Sequence, residues 1–103
     1  MSDDQAALEQ LSNVSDRAQT HTILHYLYFP KRKAAKKVAQ QLRMEGFAIE
    51  ERLGADGINW LVLARHDLVP SDEAMATARE TMEQLAESLG GEYDGWEAAV
   101  GQR

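Results

Sequence analysis

The chain has 103 residues, 44% hydrophobic and 27% charged, which suits one domain with a modest core and argues against wholesale disorder. It has no cysteine, so disulfide staples, zinc–thiolate sites and cysteine nucleophiles are excluded. Eleven Lys and Arg against seventeen Asp and Glu give a net charge of -6, so neither nucleic acid nor an anionic membrane is the default partner. No apolar stretch approaches the ~20 residues needed to span a bilayer. The start, MSDDQAALEQ, lacks the basic region and apolar run of a signal peptide. The expectation is a soluble, cytoplasmic, single-domain protein that needs no cofactor or metal.

Residues 3 to 19 read as a first helix. Leu8, Leu11, Val14 and Ala18 recur at three-to-four spacing, and Ser2, Asp3 and Asp4 supply capping oxygens and negative charge. The run HTILHYLYF, 21 to 29, is rich in aromatic and β-branched types. Ile23, Leu27 and Phe29 fall on one face and Leu24, Tyr26 and Tyr28 on the other, the pattern of a central strand.

Pro30 is expected to open a helix as a first-turn residue, with Ala34, Ala35, Val38, Ala39 and Leu42 on its inner face and Gly46 as its stop. Phe47, Ile49 and Leu53 nearly alternate, predicting a half-buried strand over 47–53. Gly54-Ala55-Asp56-Gly57 is a turn signal, with both glycines able to take positive φ, and the apolar run 58–65 completes a hairpin as a second central strand. Ser71, Asp72 and Glu73 begin the longest helix. Its inner stripe is Met75, Ala78, Met82, Leu85 and Leu89, and Gly90-Gly91 ends it. EYDGWEA can form a last edge strand, interrupted at Gly95.

The predicted fold is therefore α+β: a ferredoxin-like βαββαβ sandwich, a four-stranded antiparallel sheet with helices on one face, preceded by an extra N-terminal helix. The boundaries are 1–19 for that helix, 20–100 for the domain and 101–103 for a C-terminal tail.

Candidate chemistry is sparse. His21 and His25 share a strand face but sit about 13 Å apart at ~3.3 Å per residue, too far to chelate one metal. His66 ends a neighbouring strand and can approach one of them, although polar strand edges are the simpler reading. Lys31, Arg32, Lys33, Lys36, Lys37 and Arg43 hold six of the eleven cations. With Tyr26 and Tyr28 they suggest an RNA-stacking surface, but no Gly-Phe-rich stacking motif accompanies them. Neither a Gly-x-Ser-x-Gly elbow nor a phosphate-cradling loop is present, so an enzyme is not expected.

The segment GGEYDGW, 90 to 96, is the least ordinary. Its structural reading has Tyr93 and Trp96 closing one end of the core side by side, Asp94 capping a turn and Gly95 permitting a kink.

With His25-Tyr26-Leu27, Gly46-Phe47 and Leu89-Gly90-Gly91-Glu92-Tyr93-Asp94-Gly95-Trp96, the chain resembles the regulator of ribonuclease activity B family, protein inhibitors of ribonuclease E, from about residue 21 to residue 98. The resemblance implies the ferredoxin-like sheet and a non-catalytic role: binding the regulatory part of ribonuclease E and altering RNA turnover. Enterobacterial members look longer and finish in an Asp/Glu-rich tail, whereas this sequence stops at Val100-Gly101-Gln102-Arg103. The long helix carries Glu80, Glu83 and Glu87 as an acidic stripe opposite its apolar one, for which a solvated face kept soluble by its charge is the plainer reading. The resemblance implies that this stripe meets a cationic stretch of the ribonuclease; the sheet face around Tyr26 and Tyr28 is the alternative surface. A nucleic-acid-binding domain built on the basic helix and these tyrosines is the competing reading.

Overall fold

A computed structural model describes residues 20–99; the expected N-terminal helix and the tail 101–103 lie outside them. The elements are β1 (His21–Phe29), α1 (Arg32–Met44), β2 (Ala48–Leu53), β3 (Trp60–Leu68), α2 (Asp72–Ser88) and β4 (Glu92–Ala98). The strands form one antiparallel sheet in the order β2-β3-β1-β4, so β1 and β3 are the central pair. Among the described residues, no helix is long and apolar enough to cross a membrane.

β1 alternates without a break: every odd position is buried and every even one half-buried. Its odd face meets both helices. Leu27 and Phe29 pack with Ala35, Val38, Ala39 and Leu42 of α1, Val62 and Ala64 of β3, and Met82 and Ala86 of α2. Ile23 and Met75 form a second cluster, bordered by Leu68, Trp96 and Ala98. Each fully buried Leu, Phe or Met contributes roughly 1.5–3 kcal/mol, so these few side chains account for much of the driving force. Among the described residues, no helix packs on the even face, which carries Leu24, Tyr26 and Tyr28.

Several local expectations shift. Pro30 does not enter the helix: Lys31 is the N-cap, and Pro30 precedes it. The hairpin turn is longer than four residues. The Asp56 carboxylate accepts hydrogen bonds from the backbone amides of Ile58 and Asn59 and from the Asn59 side chain, and the Gly54 amide donates to the Asn59 carbonyl at 2.7 Å. Residues 58 and 59 are thus consumed by the turn, and β3 begins at Trp60. Gly57 takes the positive φ (71°) there; Gly54 serves by having no side chain, since a Cβ would lie 2.9 Å from the Asn59 oxygen.

At its other end β3 runs past Arg65 to Leu68, because His21 to Leu24 supply backbone partners for each of those residues. Arg65 and Asp67 alternate outward while His66 and Leu68 turn inward, the period of two that a charged run conceals when read for apolarity alone. In α2 the Ser71 hydroxyl accepts from the Ala74 amide as an N-cap. Met75, Met82 and Ala86 are its buried positions; Ala78, Leu85 and Leu89 lie at the margin.

Candidate functional site

β4 holds the motif residues, and its geometry turns on one irregularity. Leu27 pairs with Tyr93 and His25 with Trp96, so one residue of β1, Tyr26, stands opposite two of β4, Asp94 and Gly95. Gly95 has φ of 101°, in the region that glycine alone occupies at little cost. This is a β-bulge. Because side chains alternate along a regular strand, Tyr93 and Trp96 would otherwise face opposite ways. The extra residue turns both toward the helices.

Both are half-buried, in different clusters: Tyr93 against the larger core, Trp96 against Ile23 and Met75. Trp96 is therefore less buried than a side-by-side closure of one core end requires. Asp94 is exposed in the bulge, beside Glu92, Tyr28, Asp56 and Asn59 in a small cleft, and not in a capping position. Just before the strand, Gly91 passes so close to β1 that a Cβ would lie 2.3 Å from Phe29 Cδ1.

Beneath the motif lies a buried polar chain. The Tyr93 hydroxyl is 2.8 Å from His25 Nδ1, and His25 Nε2 is 3.0 Å from His66 Nε2. His25 is fully buried, which corrects the reading of the histidines as polar strand edges. A phenol is a stronger acid than a neutral imidazole N–H, and on that basis the protons are assigned: Tyr93 donates to Nδ1 of His25, His25 donates through Nε2–H to His66, and His66 carries its proton on Nδ1. Burial, and secondarily the neighbouring His66, push the His25 pKa down to about 3. Burial also lowers that of His66. The Phe47 ring lies against His66, with centroids 4.5 Å apart. Among the described residues no cluster of three His, Cys, Asp or Glu can hold a metal.

Tyr26 and Tyr28 lie on the open face. The Tyr26 hydroxyl donates to Glu97 at 2.7 Å, and that bond, with lesser contributions from burial and charge, holds its pKa up to about 12. Around the tyrosines the same face carries Glu50, Glu92 and Glu97 with Arg52 and Arg65, and Glu50 and Arg52 pair with each other. The cations of 31–43 are exposed on or beside α1, across the sheet from the tyrosines. The two halves of an RNA-stacking surface are therefore on opposite sides of the molecule.

The acidic stripe is at the surface of α2. Glu80 and Glu87 are exposed, and Glu83 accepts from Arg79 Nε at 3.2 Å. Of the sequence-level candidates, the structure joins Tyr93 to the two histidines and keeps the glutamates, the open-face tyrosines and the motif apart. The sequence allows His66 to approach one of the strand histidines, and the structure makes that partner the buried His25; what the sequence misses is that Tyr93 joins them, and only the odd spacing of Tyr93 and Trp96 about a glycine hints at the bulge.

No curated protein matches the chain at a significant level. A family model does: the one described as regulator of ribonuclease activity B matches residues 2–98, the N-terminal segment included. Nearly the whole chain, with the Tyr-Asp-Gly-Trp bulge within the matched span, thus belongs to the regulator of ribonuclease activity B family.

Proposed function

We propose that this protein is a non-catalytic regulator that binds ribonuclease E or a related ribonuclease and thereby modulates RNA turnover in the cytoplasm. The family match over residues 2–98 carries the reading. A ferredoxin-like assignment is supported by the βαββαβ order, the strand order β2-β3-β1-β4 and the packing of both helices on one sheet face. A binding role fits the perturbed groups as well: His25 is buried in the core beside Tyr93 and His66, where its hydrogen bonds join β1 to β4 and β3.

Glu80, Glu83 and Glu87 are the proposed contact with a cationic segment of the ribonuclease. Exposed charges of this kind set encounter rate more than final affinity, at about 0–1 kcal/mol per pair. Surface plasmon resonance against the regulatory segment of ribonuclease E, at two salt concentrations, is the test. The triple variant Glu80→Lys, Glu83→Lys, Glu87→Lys should remain folded and associate severalfold more slowly at low salt. An unchanged rate moves the interface off this stripe; no binding by the unaltered protein refutes ribonuclease E as partner.

A further inference from the structure

A groove of about 540 Å³ opens between the end of α1 and α2, on the helix side of the sheet. The sheet side contributes Phe47, His66 and Leu68, and α2 contributes Ala74, Ala78 and Met82. Its volume falls in the range of ligand-binding clefts, and its surface is mainly apolar.

We propose that this groove binds an amphipathic, cationic peptide segment of the protein partner, taking its apolar side chains against Phe47 and Leu68 and its Lys or Arg against Glu45 and Glu73. The inference deepens the protein-binding reading above and rests on it for the identity of the partner.

Charge complementarity decides the occupant. Among the described residues, Glu45 and Glu73 are the only ionised side chains lining the groove, and they stand on different elements, one at the end of α1 and one on α2. The C-terminal end of α1, with its partial negative charge, adds to the Glu45 side. The positive end of α2 lies near the other side, but it is already answered by the Ser71 cap and by Asp72 and Glu73. A phosphate or other anion would meet two carboxylates, whereas a cation meets its complement.

His66 supplies direction. Its Nε2 is committed to His25, so the proton assigned to Nδ1 is the one that can address a ligand, and a peptide carbonyl is the neutral acceptor that fits. At ~100° per residue, the groove-lining positions Ala74, Thr77, Ala78 and Thr81 lie roughly 140° around α2 from Glu80, Glu83 and Glu87. The bulk of the groove's α2 lining is therefore a separate surface, and Glu73, about 20° around the helix from Glu80 and about two turns nearer its start, is where the groove meets the line of the acidic stripe.

The probe is a fluorescein-labelled peptide with a Leu-Phe-Leu core flanked by lysines; its twin carries glutamates in their place. The full-length protein should bind the lysine peptide, with amide shifts in ¹⁵N NMR spectra centred on Phe47, His66, Ala74 and Ala78, and bind the twin far more weakly. The exposed pair Glu45→Lys and Glu73→Lys should leave the circular dichroism spectrum unchanged and weaken binding about tenfold, whereas Glu80→Lys with Glu87→Lys should not. No binding by the unaltered protein, equal binding of the twin, undiminished binding by the Glu45/Glu73 variant, or shifts centred elsewhere overturns the groove assignment. A Glu45/Glu73 variant that loses the peptide yet still associates normally with the ribonuclease overturns the groove's place in that complex and leaves the regulatory reading intact. Failure of the unaltered protein to associate with the ribonuclease counts against the regulatory reading alone, because the peptide titration is read without the enzyme.

Discussion

Tyr93 and Trp96 are three residues apart on one strand, yet both face the helices. Odd spacing in a regular strand puts side chains on opposite faces. The register slips by one residue between their partners Leu27 and His25, and Gly95 takes the φ of 101° that the slip requires. The Tyr-Asp-Gly-Trp motif is thus a device for placing two aromatics on one face of an edge strand.

Replacing Gly95 with Ala should cost about 1–2 kcal/mol, the strain of a side chain in left-handed backbone. Urea melts measure it. Deleting Gly95 should cost more, because it removes the bulge and sends Tyr93 or Trp96 to the open face; the Trp emission maximum reports that flip.

Tyr93→Phe removes the hydroxyl from a fully buried imidazole and keeps the ring. A loss of about 1–3 kcal/mol is expected, the penalty for leaving a buried polar atom unmatched. Equilibrium unfolding at neutral pH checks it, and a change within ~0.3 kcal/mol would mean that the bond contributes little.

The buried histidine predicts acid sensitivity. The folded protein holds His25 neutral with a pKa of about 3, while the unfolded chain takes up a proton near the ordinary 6.5. Below about pH 6.5 the unfolded state binds more protons, so stability is fullest above that value and falls as pH drops toward 3. The lowered pKa of His66 acts in the same direction. Between pH 7 and pH 5 His25 alone should remove about 2 kcal/mol. Urea midpoints at the two pH values test this, and His25→Phe should flatten the dependence.

Met82 and Glu83 are neighbours in sequence with opposite surroundings. Met82 is buried in the main core, and Glu83 reaches Arg79 at the surface. Met82→Asp should abolish folding, because a charge would be buried without a partner. Glu83→Lys should cost no more than about 0.5 kcal/mol, the worth of an exposed i,i+4 pair. Circular dichroism melts of the two variants decide; similar losses would contradict the facing of α2.

The sequence by itself determined the elements described here and their order. Alternation in 21–29, the Ala-Val-Leu stripe of 34–42 and the Met-Leu stripe of 75–89 are local periodicities, readable from residues within a few positions of each other. They sufficed to place 21–29 at the centre of the sheet and to turn Met75 and Met82 inward. Family membership was legible in the glycine-aromatic motif near the end. Only the tertiary structure decided that β3 ends at Leu68, that His66 meets His25 across 41 positions, and that the basic helix and the tyrosines lie on opposite sides. It also decided the groove between the helices. These outcomes depend on strand register and on which faces are brought together, and a slip of one residue reverses every side chain on a strand. Register is set by pairings between distant segments, so it is written in no single stretch of the chain.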